Sequence, residues 1–159
     1  MVLCALQPDW TPNTEARRLL LDRLTESGIE TFEKCGNESR YFITGGFCRI
    51  HLVEHRRPTL VANHQGGYRV FCGSCKAMVT PAFVNAIKEY REGRAERALR
   101  CPRCQLKQDL DDLSFRPPAV FTCFEIQVHD VQNTELTPKG HRFFDDWFEG
   151  YRTVLRRVG

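Results

Sequence analysis

Two short stretches decide how this chain is read: Cys72-Gly73-Ser74-Cys75 and Cys101-Pro102-Arg103-Cys104, two CxxC pairs with 25 residues between them. Two residues between thiols let a tight turn aim both sulfurs at one point, with the turn's N–H groups free to donate to them. Two such turns facing each other supply the tetrahedral set of thiolates that zinc favours in closed structural sites. Iron also accepts four thiolates, but a redox centre is usually shielded by a more apolar shell than this basic segment offers. A thioredoxin-type pair needs a strand before it and a helix N-terminus at it, a setting that neither pair has. The expectation is one structural Zn2+ held by Cys72, Cys75, Cys101 and Cys104. A Cys4 site has no open position for water, so no catalysis is expected there.

These four cysteines, with Pro102 in the second turn, resemble the zinc-ribbon and rubredoxin-like knuckle family over residues 70–107. The resemblance implies a locally folded metal module and nothing outside it. Lys76 and Gln105 stand where such knuckles often carry glycine, and the segment between the pairs reads as a helix rather than a plain hairpin.

Working outward, the 159 residues fit one domain, 1–159, with 70–107 as an inserted zinc-binding module. Hydrophobic content is 42% with 11 Phe, 4 Tyr and 2 Trp, enough for a real core. No apolar run approaches the roughly 20 residues of a membrane helix, and the first ten residues lack a basic region before a secretory apolar stretch. The expected location is cytoplasmic, where close CxxC pairs point to metal or redox work and not to disulfides. Cys4 and Cys123 lie in apolar strand-like runs and are expected as inert buried thiols; Cys35 and Cys48 receive no role.

The expected fold class is α+β, a small mixed or antiparallel sheet packed by N- and C-terminal helices. Thr11-Pro12, Thr80-Pro81 and Thr137-Pro138 each precede a helical pattern, Thr as cap and Pro in the first turn. The first helix is expected over 12–27, burying Ala16, Leu19, Leu20 and Leu24, with Gly28 ending it. The last is expected over 138–157, with a stripe of Phe144, Trp147, Phe148, Tyr151, Leu155 and Val158, and Arg152, Arg156 and Arg157 near its end. At the second start, Val79 and Val84 are placed for a hydrophobic staple. Strands are expected at 2–6, 30–34, 41–44, 47–53, 59–62, 68–71 and 120–128, with turns at Gly45-Gly46 and Gly66-Gly67.

The formal charge of +3 is unevenly spread: residues 69–107 carry 9 Lys+Arg against 3 Asp+Glu, whereas 108–159 carry 6 against 9. Arg69, Lys76, Lys88, Arg91, Arg94, Arg97, Arg100 and Arg103, with Tyr68, Phe71 and Tyr90 among them, could hold phosphates and stack bases. The competing reading is a solvated helix face, because Glu89, Glu92 and Glu96 interleave and Glu96–Arg100 has favourable spacing. His51-Leu52-Val53-Glu54-His55 matches the HxxEH pattern of inverted zinc peptidases, which needs both histidines one helical turn apart. The surrounding alternation reads as a strand, which would separate the two histidines by roughly 13 Å.

With no convincing catalytic set, a closed metal site and a charge-patterned surface, the sequence points to a non-catalytic zinc-containing protein that engages a protein partner. An inhibitor, an adaptor or a toxin-immunity type is the kind expected, by analogy. Nucleic-acid binding through the basic module is the alternative, and a metallohydrolase centred on His51, Glu54 and His55 the third.

Overall fold

The computed structural model describes residues 1–26, 49–63, 67–131, 133–148 and 150–155. In chain order the elements are β1 Val2–Ala5, α1 Thr14–Glu26, β2 Arg49–Val61, β3 Arg69–Phe71, α2 Thr80–Arg91, β4 Ala98–Arg100 and β5 Lys107–Asp109. After a 3-10 turn at Leu110–Asp112 come β6 Ser114–Arg116, β7 Val120–His129, α3 Pro138–Phe148 and β8 Tyr151–Val154. The class is α+β, as expected. The expected strands at 30–34 and 41–44, the Gly28 stop and the Gly45-Gly46 turn lie outside the described residues.

The main sheet has the order β2-β7-β1-β8 and is antiparallel throughout. Side chains alternate across its faces. On one face Met1, Leu3, Ala5, Ile50, Phe124, Ile126 and Val128 form a core with Leu20 of α1 and Phe144 and Phe148 of α3. Trp10 closes this core, its ring 5.9 Å from Phe124, 5.1 Å from Trp147 and 5.4 Å from Phe148. Trp147 also donates its indole N–H to the Ala16 carbonyl at 3.3 Å, tying α3 to α1. The other face buries Val2, Cys4, Val61, Val120 and Val154. Cys4 and Cys123 are buried free thiols, as expected, and burial first, then the Glu125 charge, pushes the Cys4 thiol up.

Several expected boundaries shift for identifiable reasons. The start of α1 is capped by Asn13 and not by Thr11: its Oδ1 accepts the Ala16 N–H at 2.7 Å. Leu20 is buried but Leu19, expected beside it, is 49% exposed. At α3 the threonine cap forms as expected, Thr137 Oγ1 accepting the Gly140 N–H at 3.0 Å. That helix ends at Phe148 and not at 157, because Gly150 at φ 110 turns the chain and residues 151–154 pair with β1. Phe144, Trp147 and Phe148 thus keep their helical stripe, whereas Tyr151 belongs to a strand and Leu155 is exposed; Arg156, Arg157 and Val158 lie outside the described residues.

The two strands expected at 47–53 and 59–62 are, over the described residues, one long strand, β2, whose register against β7 shifts between Glu54 and Thr59. Pro58 sits in that irregularity, where a missing N–H costs no ladder bond. Beyond it Leu60 and Phe121 turn into a second core with Val70, Val79, Phe83, Ile87, Leu99, Leu110 and Leu113, and with the sulfur-bearing Cys72 and Cys101. This core is covered by α2 and by two short ribbons, β3 with β6 and β4 with β5. Helix α2 starts at Thr80 as expected, but Thr80 Oγ1 accepts from the Val70 N–H at 2.9 Å instead of capping, and Val84 is exposed and not stapled to Val79. Tyr90 fastens α2 to β2 by donating its hydroxyl to the Pro58 carbonyl at 2.9 Å.

Candidate metal centre

The two CxxC turns are built alike. In the first, the Cys72 N–H donates to the Ala77 carbonyl at 2.9 Å and the Lys76 N–H to the Cys72 carbonyl at 3.1 Å. In the second, the Cys101 N–H donates to the Leu106 carbonyl and the Gln105 N–H to the Cys101 carbonyl, both at 2.9 Å. Both turns close through a left-handed residue, Lys76 at φ 58 and Gln105 at φ 61. These are the two positions where the sequence departs from the glycine of such knuckles. Each side chain then reaches back to the carbonyl of the residue after the first cysteine, Lys76 Nζ to Gly73 and Gln105 Nε2 to Pro102. A local side-chain bond of this kind offsets part of the cost of a left-handed L-residue, about 1 kcal/mol.

The four sulfurs converge. All ligand atoms lie within 4.8 Å of one another, with Cys72 Sγ 3.8 Å from Cys104 Sγ and Cys75 Sγ 3.7 Å from Cys101 Sγ. Four donors at about 2.3 Å from a shared ion in a tetrahedron lie about 3.8 Å apart, so the cluster has the size of a four-coordinate thiolate site. Cys72 and Cys101 are buried, Cys75 is partly covered and Cys104 is exposed. The centre therefore sits at the rim of the second core, with two ligands contributing to that core.

Gln108, on β5, is the residue at this centre that the sequence did not announce. It is buried, donates from Nε2 to Cys72 Sγ at 3.0 Å and accepts the Gly73 N–H at 3.0 Å on Oε1. One amide thus holds the first turn in place and orients its first sulfur, the outer-shell role that tunes metal ligands. No spacing rule points to a glutamine four residues past a CxxC pair. Gly73 is required for another reason: a Cβ there would lie 2.3 Å from the Asp112 carbonyl oxygen, so the 3-10 turn packs directly on the first knuckle.

The thiols titrate as a linked set. The Gln108 amide first, then turn N–H groups, bring Cys72 down to about 6. Cys101 is lowered as well, first by the Cys104 N–H. Cys104 is pulled down by the Leu106 N–H, yet burial and the three neighbouring thiols push it up to about 11. Four sulfurs this close cannot all ionise without a cation among them, and two are already prepared to do so.

The basic residues around the centre divide into groups. Arg97 pairs with Asp111 at 2.9 Å and lies 3.7 Å from Asp9. Arg94 pairs with Glu92, and Arg100 donates to the Gln105 carbonyl at 2.8 Å. Arg69, Lys88, Arg91 and Arg103 are exposed. Of the eight, Lys76, Arg94, Arg97 and Arg100 thus already have a carbonyl or carboxylate partner. A Zn(Cys)4 centre would itself carry two negative charges, lowering the +6 of residues 69–107 to +4.

The HxxEH residues lie on β2, the strand expected for them, and do not converge. Glu54 reaches Arg17 of α1 at 3.0 Å, on the helix-covered face. His51 stacks near His129, ring centroids 4.8 Å apart, and His55 faces Glu125. None of the described helices is long and apolar enough to cross a membrane. No known protein family, curated protein or solved structure matches the chain.

Proposed function

We propose that this chain is a non-catalytic binding protein of the cytoplasm, in which Cys72, Cys75, Cys101 and Cys104 hold one structural Zn2+. The metal would brace an inserted unit that presents a surface to a protein partner. The zinc assignment rests on the sulfur separations of 3.7 and 3.8 Å and on a donor set of four thiolates with no position left for water.

The protein-partner reading is carried by one observation. Of the six large apolar side chains exposed among the described residues, three belong to the metal module: Met78 at 60%, Val84 at 49% and Leu106 at 49%. Met78 and Leu106 follow directly on the two knuckles, beside Lys76, Arg100 and Arg103. Exposed apolar side chains close in sequence to basic ones suit a protein with an acidic, partly apolar face, such as a target to be inhibited or a toxin to be neutralised. Nucleic-acid binding is supported less well, since Arg94 and Arg97 already have carboxylate partners.

Capture of partners from the native cell tests this directly. A specific protein should be retained by the wild-type chain and lost, by tenfold or more, with Met78→Asp and Leu106→Asp combined and the metal content unchanged. Undiminished capture by that variant would remove the proposed surface. Salt-sensitive retention of short single-stranded DNA or RNA, abolished by Arg69→Ala, Arg91→Ala and Arg103→Ala together, would establish the nucleic-acid alternative in its place.

A further inference from the structure

Away from the thiolate centre, the sheet face opposite α1 and α3 carries a carboxylate in an unusual position. Glu125 sits on the central strand β7, in register with Cys4 of β1 and Val53 of β2, and its side chain is only 2% exposed. Its Oε1 accepts the Gln127 amide at 2.7 Å. Its Oε2, and the Nε2 of His55, have no hydrogen-bond partner among the described residues. Leaving a buried carboxylate oxygen and a buried imidazole nitrogen unbonded is strongly unfavourable, and such a pair calls for an occupant.

The separation of the two groups suggests what the occupant is. His55 Nε2 lies 3.5 Å from Glu125 Oε1, too far for an N–H···O hydrogen bond. Two donors on one tetrahedral divalent ion, at about 2.0–2.1 Å for nitrogen and about 2.0–2.2 Å for oxygen, stand about 3.4 Å apart. Gln127 fixes the carboxylate, as outer partners of metal ligands do. The His55 side chain is 24% exposed overall, whereas its Nε2 and the Glu125 Oε2 are themselves buried.

We propose that His55 and Glu125 hold a second divalent first-row metal ion, distinct from the thiolate centre, in a nitrogen–oxygen site whose remaining positions are filled by water that enters with the ion. The site is not the HxxEH arrangement: its carboxylate comes from β7, while Glu54 lies on the other face of the sheet. With two protein donors it binds more weakly than the Cys4 centre and exchanges with free ions.

Cobalt titration of the protein already carrying one zinc tests the proposal. One further Co2+ should bind, with weak visible bands and without the intense near-ultraviolet absorption of a cobalt–thiolate centre. His55→Ala and the isosteric Glu125→Gln should each weaken that second binding at least tenfold, whereas His141→Ala, at an exposed position elsewhere, should leave it unchanged. Absence of a second equivalent in the wild type, or its persistence in His55→Ala, overturns the proposal. The His55 arm decides even if Glu125→Gln does not fold, because His55 is the more exposed partner.

Discussion

Ile50, Phe124, Ile126 and Val128 point into one core and Leu60 and Phe121 into another, although all six sit on β2 and β7. The first core is bounded by strands of 13 and 10 residues and closed by a cluster of Trp10, Phe124, Trp147 and Phe148. The second has its own aromatics, Tyr68, Phe83 and Phe115, but its ribbons are made of three-residue strands. Two-stranded ribbons are marginal even at greater length. Burial alone organises the first region. The second counts two of the four converging cysteines among its core residues, so a metal would do there what long strand ladders do elsewhere.

Four experiments can break or sharpen this contrast. The largest effect is expected from Cys101→Ser. Metal binding is worth about 10–16 kcal/mol in small zinc modules, so the variant should lose its metal and the hydrogen-exchange protection of residues 69–116. Protection of β1, β7 and α3 should persist; loss of it everywhere would mean the two cores are one cooperative unit. Next, Phe144→Ala should cost about 3–5 kcal/mol, the usual cost of emptying a buried aromatic site. Denaturant unfolding measures it, and metal content should stay at one equivalent.

Smaller is Gln108→Leu, which leaves the Gly73 N–H unpaired and removes the donor to Cys72, a loss of about 1–3 kcal/mol. It also moves the acid limit. A thiol brought down from 9 to about 6 contributes stability that is present above pH 9 and lost as the pH falls through about 6. Without the amide the folded-state value rises toward 9, so the window narrows and closes at higher pH, and acid titration should release the metal at higher pH than in the wild type. The smallest effect should come from Lys76→Gly and Gln105→Gly. Relief of the left-handed backbone should raise stability by up to about 1 kcal/mol each, read as slower metal transfer to a chelator. A loss instead would show that the side-chain bonds to Gly73 and Pro102 outweigh the strain.

What could be read in advance follows the same division. The convergence of the four cysteines, β1, β7 and the Thr137-Pro138 helix start were legible, because each is written in a local pattern with one physical meaning. β8 was not: Tyr151 and Leu155 continue a helical period, and only the backbone at Gly150 shows the chain turning away. The expected strands at 47–53 and 59–62 leave out residues 54–58, which hold Pro58 and the register shift of a single strand. Among the three-residue strands, β3 was expected at 68–71, whereas β4, β5 and β6 carry too few side chains to show a period. Gln108 and the Glu125–His55 pair depend on contacts between residues 36 and 70 positions apart, which no local pattern encodes.

One detail of the pairing bears on how such a chain could be altered. Val61 lies opposite Val120 at the end of the β2–β7 ladder, so the backbone departs from the sheet and rejoins it at a single point. A hairpin could close there with a tight turn. Cutting the excursion from 62 to 119 down to such a turn would have to re-cover the apolar surface of Leu60 and Phe121 and replace the partners that Pro58 and Asp9 find in Tyr90 and Arg97.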